Sequence, residues 1–160
     1  MAGAPARSEH ERAVELAYRA LSTRDRTVAE LRSYLERKRV EPDAIGHAVD
    51  ELTAAGYLDD ARFAQRFAED KRHLERWGAE RIGRDLRRRG VAPELIEAAL
   101  SGQEPGEELH AAIELLAMRM PVPPVGERER DRAWRMLVRK GYEPELVYEA
   151  VRAHGRSAAP

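Results

Sequence analysis

The chain has 160 residues, 42 % hydrophobic and 36 % charged, with two Trp, two Phe, five Tyr and no cysteine, and its net charge is −1. That length holds one compact domain or a short array of small units. The missing thiols exclude disulfides and thiolate-held zinc or iron–sulfur centres and suit a reducing compartment, and the near-zero net charge excludes a uniformly basic coat for nucleic acid.

The opening MAGAPARSEHER lacks the apolar core of an export signal, and no later window approaches the ~18 consecutive apolar residues of a membrane span. A cytoplasmic protein without membrane contact is expected, with residues 1–8 disordered. From Glu9 to Leu21 apolar residues recur at helical spacing, and so they do over Asp59–Leu74 and Gly106–Met120. After each of these comes a similar segment: TVAELRSYLERKRVEPDAIGHAV from Thr27, GAERIGRDLRRRGVAPELIEAAL from Gly78 and ERDRAWRMLVRKGYEPELVYEAV from Glu129. One step of 51 residues carries Pro42 to Pro93 to Pro144, Leu35 to Leu86 to Leu137 and Ala48 to Ala99 to Ala150. The fold class predicted is therefore all-α, three tandem three-helix repeats forming an elongated, curved array. The units are expected at residues 9–55, 56–102 and 103–153, with a disordered tail over 154–160.

Within each segment the two helices meet at a tight turn. Gly90-Val91 and Gly141-Tyr142 offer a residue free to take positive φ followed by an apolar one, the pattern of a Schellman cap. The first segment has Arg39 at that place, so either its turn differs or packing absorbs a cost of roughly 1 kcal/mol. Proline then restarts the chain at the first helical position, followed by Asp43, Glu94 or Glu145 where the helix dipole favours an acid. Thr27 with Glu30 forms a capping box, Asp59 caps the next helix, and Trp77 with Ile82 brackets Gly78 as a hydrophobic staple. The pair Asp59-Asp60 reads as an N-cap plus a first-turn acid rather than a catalytic dyad.

Chemistry of the common enzyme kinds is missing from the motif inventory. The histidines at 10, 47, 73, 110 and 154 form no i,i+3 or i,i+4 pair, and there is no HExxH, GxxxxGK[ST], GxGxxG or GxSxG pattern. No enzyme, metal or cofactor is expected.

Charge is segregated along the chain. Residues 24–39 carry net +3 and 41–60 net −6; residues 61–90 carry +5, 91–114 again −6, and 128–140 return to +4. Arg81, Arg84 and Arg88 lie three or four residues apart and share a helix face, as do Arg132, Arg135 and Arg139. Arg88 and Arg139 also suit the negative end of a helix dipole. Arg81, Arg84, Arg132 and Arg135 sit earlier, where a cation gains nothing from the dipole, so they are the stronger candidates for contact with phosphates or an acidic protein groove. With few aromatic residues, base stacking is disfavoured.

The stretch GYLDDARFAQRFA from Gly56 to Ala68, resumed as WGAERIGRDLRRRGV from Trp77 to Val91, resembles the RecX family signature. The run ALSTRDRTVAEL over residues 20–31 and Arg139-Lys-Gly-Tyr142 are similar to it as well, so the resemblance covers roughly residues 12–153. It implies a tandem-repeat fold that lodges in the groove of the RecA–DNA filament and restrains ATP hydrolysis, strand exchange and repressor cleavage. Its departures are Arg39 in place of glycine and the proline-rich 121–126 segment. The partner expected is thus the RecA filament, with sequence-independent contact to the DNA backbone and a monomeric chain. A helix-turn-helix transcriptional regulator is the alternative, and a plain helical scaffold a third reading.

Overall fold

The computed structural model describes residues 8–157, and the disorder expected for residues 1–7 and 158–160 lies outside that range. Among the described residues there are nine helices: α1 (Glu9–Thr23), α2 (Val28–Arg37), α3 (Pro42–Ala54), α4 (Asp60–Glu75), α5 (Ala79–Arg88), α6 (Pro93–Leu100), α7 (Glu107–Arg119), α8 (Glu127–Lys140) and α9 (Pro144–Arg156). They form three units of three. In each, the first and second helices pack on the third, as α1 and α2 on α3, α4 and α5 on α6, and α7 and α8 on α9.

Helix ends follow local chemistry. Ser8 with Glu11 and Thr27 with Glu30 form capping boxes, and Asp59 accepts a bond from the Arg62 N–H. Pro42, Pro93 and Pro144 open α3, α6 and α9. All three intra-unit turns are the same Schellman motif: Val40, Val91 and Tyr142 donate their N–H groups to Leu35, Leu86 and Leu137, five residues back. Arg39 adopts φ 58°, matching Gly90 at 82° and Gly141 at 95°. The first turn does not differ, and Arg39 takes the left-handed conformation from an exposed position.

Each unit buries its own core. Leu31, Leu35, Ile45, Ala48 and Leu52 close the first, Ile82, Leu86, Ile96 and Ala99 the second, and Leu116, Ala133, Leu137, Val147 and Ala150 the third. Burying each leucine fully contributes about 1.5–3 kcal/mol, and alanines such as Ala13 and Ala17 let α1 lie close on α3. Three expected boundaries move, the first at Ser8, which is expected with the disordered residues 1–8 and caps α1. Leu58 is buried with the first core, because its N–H and that of Tyr57 both bond the Leu52 carbonyl and fold the chain back. Residues 154–156, expected in the tail, belong to α9, which runs through Arg156, and buried His154 hydrogen-bonds the Met120 carbonyl at 2.8 Å.

The units join through one device used twice. At the first junction the Thr27 hydroxyl donates to the Arg89 carbonyl and the Val28 N–H donates to the Asp60 carboxylate. At the second the Gly78 N–H donates to the Lys140 carbonyl and the Ala79 N–H to the Glu108 carboxylate. The first turn of α2 therefore abuts the last turn of α5, and the first turn of α5 abuts the last turn of α8, each flanked by a carboxylate from the next unit's first helix. Asp60 is more than the first-turn acid the sequence suggested, since it serves a helix of the preceding unit.

Candidate partner interface

Arg81, Arg84 and Arg88 lie on α5, and Arg132, Arg135 and Arg139 on α8, one 51-residue step apart in the order 81/132, 84/135 and 88/139. The two helices meet end to end, so the two arginine rows belong to one succession of helices rather than to separate bodies. Five of the six are exposed and Arg81 is half-buried. Among the described residues, Arg84, Arg132 and Arg139 have no carboxylate at ion-pair distance, whereas Arg88 pairs with Asp85 and Arg135 with Asp131 at 2.7 Å. Pairing of that exposed kind contributes only ~0–1 kcal/mol, and an anionic partner can displace it.

Arg81 differs from the others. Its guanidinium stacks 3.9 Å from the Trp77 ring centroid and donates to the Arg139 carbonyl at 3.2 Å. It is fixed at the junction, where it meets Arg139, Lys140 and Arg119 around one cleft. Sequence reasoning missed Arg119. As the last residue of α7 it reads as a dipole partner, and 51 residues earlier stands Ala68, so the repeat gave no signal.

A second set of cations, Lys38, Arg89 and Lys140, also recurs at the 51-residue step and is engaged internally. Arg89 pairs with Glu30 at 3.0 Å and covers the Phe67 ring, Lys140 donates to the Glu75 carbonyl, and Lys38 lies over Tyr34. In the first unit Glu30 stands where Arg81 and Arg132 stand in the other two, so the basic succession ends at the junction with α2.

Beside this face, Tyr142 ties unit 3 to unit 2 through its hydroxyl, which donates to the Arg76 carbonyl at 3.1 Å. Burial, aided by the nearby Glu108 charge and opposed by Arg76, pushes the phenol up to about 12. The structure also exposes Tyr57, Trp134 and Tyr148, more aromatic surface than the composition suggested. None of these three lies in the cleft of Arg81 and Arg139.

Comparison with known proteins places this architecture. The first three-helix domain of RecX matches residues 13–52 and the second matches residues 59–100. The regulatory protein RecX of Deinococcus radiodurans is 37 % identical over 150 residues, covering 92 % of this chain and 72 % of the relative. The chain belongs to the RecX family. The regulatory protein RecX of Trichlorobacter lovleyi is 36 % identical over 135 residues, 82 % of this chain and 88 % of the relative. A crystal structure of RecX from Lactobacillus salivarius superposes with a TM-score of 0.81 at 17 % identity, over 91 % of this chain and 96 % of that one. At that identity the likeness shows the fold, and the all-α repeat is the RecX fold. Among the described residues no helix is long and apolar enough to cross a membrane.

Proposed function

We propose that this RecX-family chain binds the RecA–DNA filament and lowers its ATPase, strand-exchange and coprotease activities, acting in the cytoplasm as a monomer and turning over no substrate itself. The observation that carries this reading is the succession of basic faces on α5 and α8, held in fixed relation by their end-to-end junction. A rigid array presenting Arg84, Arg132, Arg135 and Arg139 at intervals suits a partner that repeats along an axis and carries acidic grooves or phosphates. The helix-turn-helix alternative requires the N-terminal residues of a recognition helix to reach base edges. Here the first turns of α2 and α5 are occupied by the neighbouring unit, which counts against it.

Co-sedimentation with RecA filaments at several salt concentrations tests the reading. Retention at low salt that declines as salt rises is the expected result. Equal retention on bare DNA would favour the transcriptional regulator, and no retention at any salt would overturn the proposal.

A further inference from the structure

The geometry points to a binding site for a phosphate group in the cleft between units 2 and 3, formed by Arg81, Arg119, Arg139 and Lys140. The cleft measures about 240 Å³, and among the described residues only Leu115 and Met136 line it besides the four cations, with no carboxylate. Among the described residues none of the four cations is ion-paired, in a chain where Arg76, Arg88, Arg89 and Arg135 all are. Four basic side chains border one small cleft, and an anion held between them would meet opposite charge from both units.

The surroundings hold the cluster ready. Arg81 is clamped between the Trp77 ring and the Arg139 carbonyl, and Lys140 is tethered through its ammonium to the Glu75 carbonyl at 2.9 Å. Arg119 and Arg139 are exposed and free to close on a ligand. A planar guanidinium offers paired N–H donors that match phosphate oxygens, while an ammonium adds a compact charge. Because Arg81 comes from unit 2 and the other three from unit 3, a phosphate seated here ties the two units together. This deepens the proposed filament-facing role of the same arginines and rests on that reading for its setting. The phosphate belongs either to a nucleic-acid backbone or to a small free phosphate compound.

Calorimetric titration with inorganic pyrophosphate, and separately with a 20-base-pair duplex, distinguishes the two sources when ionic strength is held constant with sodium chloride. The cleft variant is Arg119→Gln/Arg139→Gln, exposed positions where folding survives. The comparison variant is Arg152→Gln/Arg156→Gln, which removes equal charge away from the cleft. The cleft variant is expected to bind about tenfold or more weakly, and the comparison variant as the parent does. A loss seen with pyrophosphate identifies free phosphate as a ligand, and a loss seen only with the duplex identifies the backbone; both support the site. Equal weakening by both variants, or no binding of either probe, overturns it. Since neither titration contains recombinase, a cleft variant that loses phosphate but still lowers the RecA ATPase separates this site from the filament reading. A parent that binds phosphate but leaves that ATPase unchanged overturns the filament reading alone.

Discussion

The Thr27 hydroxyl donates a 2.6 Å hydrogen bond to the carbonyl of Arg89, 62 residues away, and one repeat later the Gly78 N–H reaches the carbonyl of Lys140 across the same separation at 2.8 Å. Thr27 does two jobs from a fully buried position, since its oxygen also accepts the Glu30 N–H as N-cap of α2. Thr27→Ala removes the cap and leaves the Arg89 carbonyl unpaired, an expected loss of about 2 kcal/mol. Thr27→Ser restores most of it. Chemical denaturation midpoints of the three proteins check this, and equal midpoints would mean that the junction bond carries no weight.

Gly90 and Gly141 are under two constraints where Arg39 is under one. All three have positive φ, but a Cβ at Gly90 would collide with Ala29 and one at Gly141 with Arg81, both in the preceding unit. Among the described residues no unit precedes the one that contains Arg39. Gly90→Ala and Gly141→Ala are therefore expected to lose more than the roughly 1 kcal/mol of backbone strain alone. Arg39→Gly should change stability by less than about 1 kcal/mol, since relief of strain is offset by glycine's larger unfolded-state entropy. Thermal melts of the three variants measure the contrast, and a similar small effect at all three would contradict it.

Much of this was legible before any coordinates. The 51-residue step, the prolines and the glycine turns each report chemistry internal to one unit, and such chemistry recurs with the repeat. The junction contacts do not announce themselves so. Asp60 caps a helix 32 residues upstream, whereas the equivalent carboxylate at the second junction is Glu108, not a periodic match. Arg119 and the internal engagement of Arg89 escaped for the same reason: a side chain's direction across a junction leaves no pattern along the chain.

Asp60 gives a pH-dependent test. Burial raises its carboxyl above the ordinary value, the bond from the Val28 N–H opposes that rise, and the charges of Asp59 and Glu30 add to it. A folded-state value above the unfolded one means that protonation favours the fold: the contribution is full below the unfolded value and is lost as pH rises through the folded one. Asp60→Asn keeps an acceptor for Val28 without the charge, so it should be no less stable than the parent at pH about 7, its advantage shrinking towards pH about 3–4. Asp60→Ala should lose about 1–2 kcal/mol at either pH. An asparagine variant as unstable as the alanine one would remove the argument.

The turn of the first unit is engaged by a residue of that same unit. Where Arg89 and Lys140 lend their carbonyls to the adjoining unit, the Lys38 carbonyl accepts from Arg12 of its own unit at 2.8 Å, as a capping repeat requires. Sedimentation equilibrium should give the mass of one chain at micromolar concentration, and a concentration-dependent dimer would contradict the monomeric assignment.

On the proposed function, basic faces on α5 and α8 bring this RecX-family chain onto the RecA filament. Arg81 is excluded from the decisive variant because its stacking on Trp77 supports the junction. Arg84→Gln/Arg132→Gln/Arg135→Gln removes three exposed charges at a stability change under about 1 kcal/mol. The measurement is the DNA-dependent ATPase of RecA against added protein over a range of salt. The parent should lower it without hydrolysing ATP itself, and the triple variant should do so more weakly and with a shallower salt dependence. Full inhibition by the triple variant at every salt concentration would contradict the account and turn attention to the acidic helices α3 and α6.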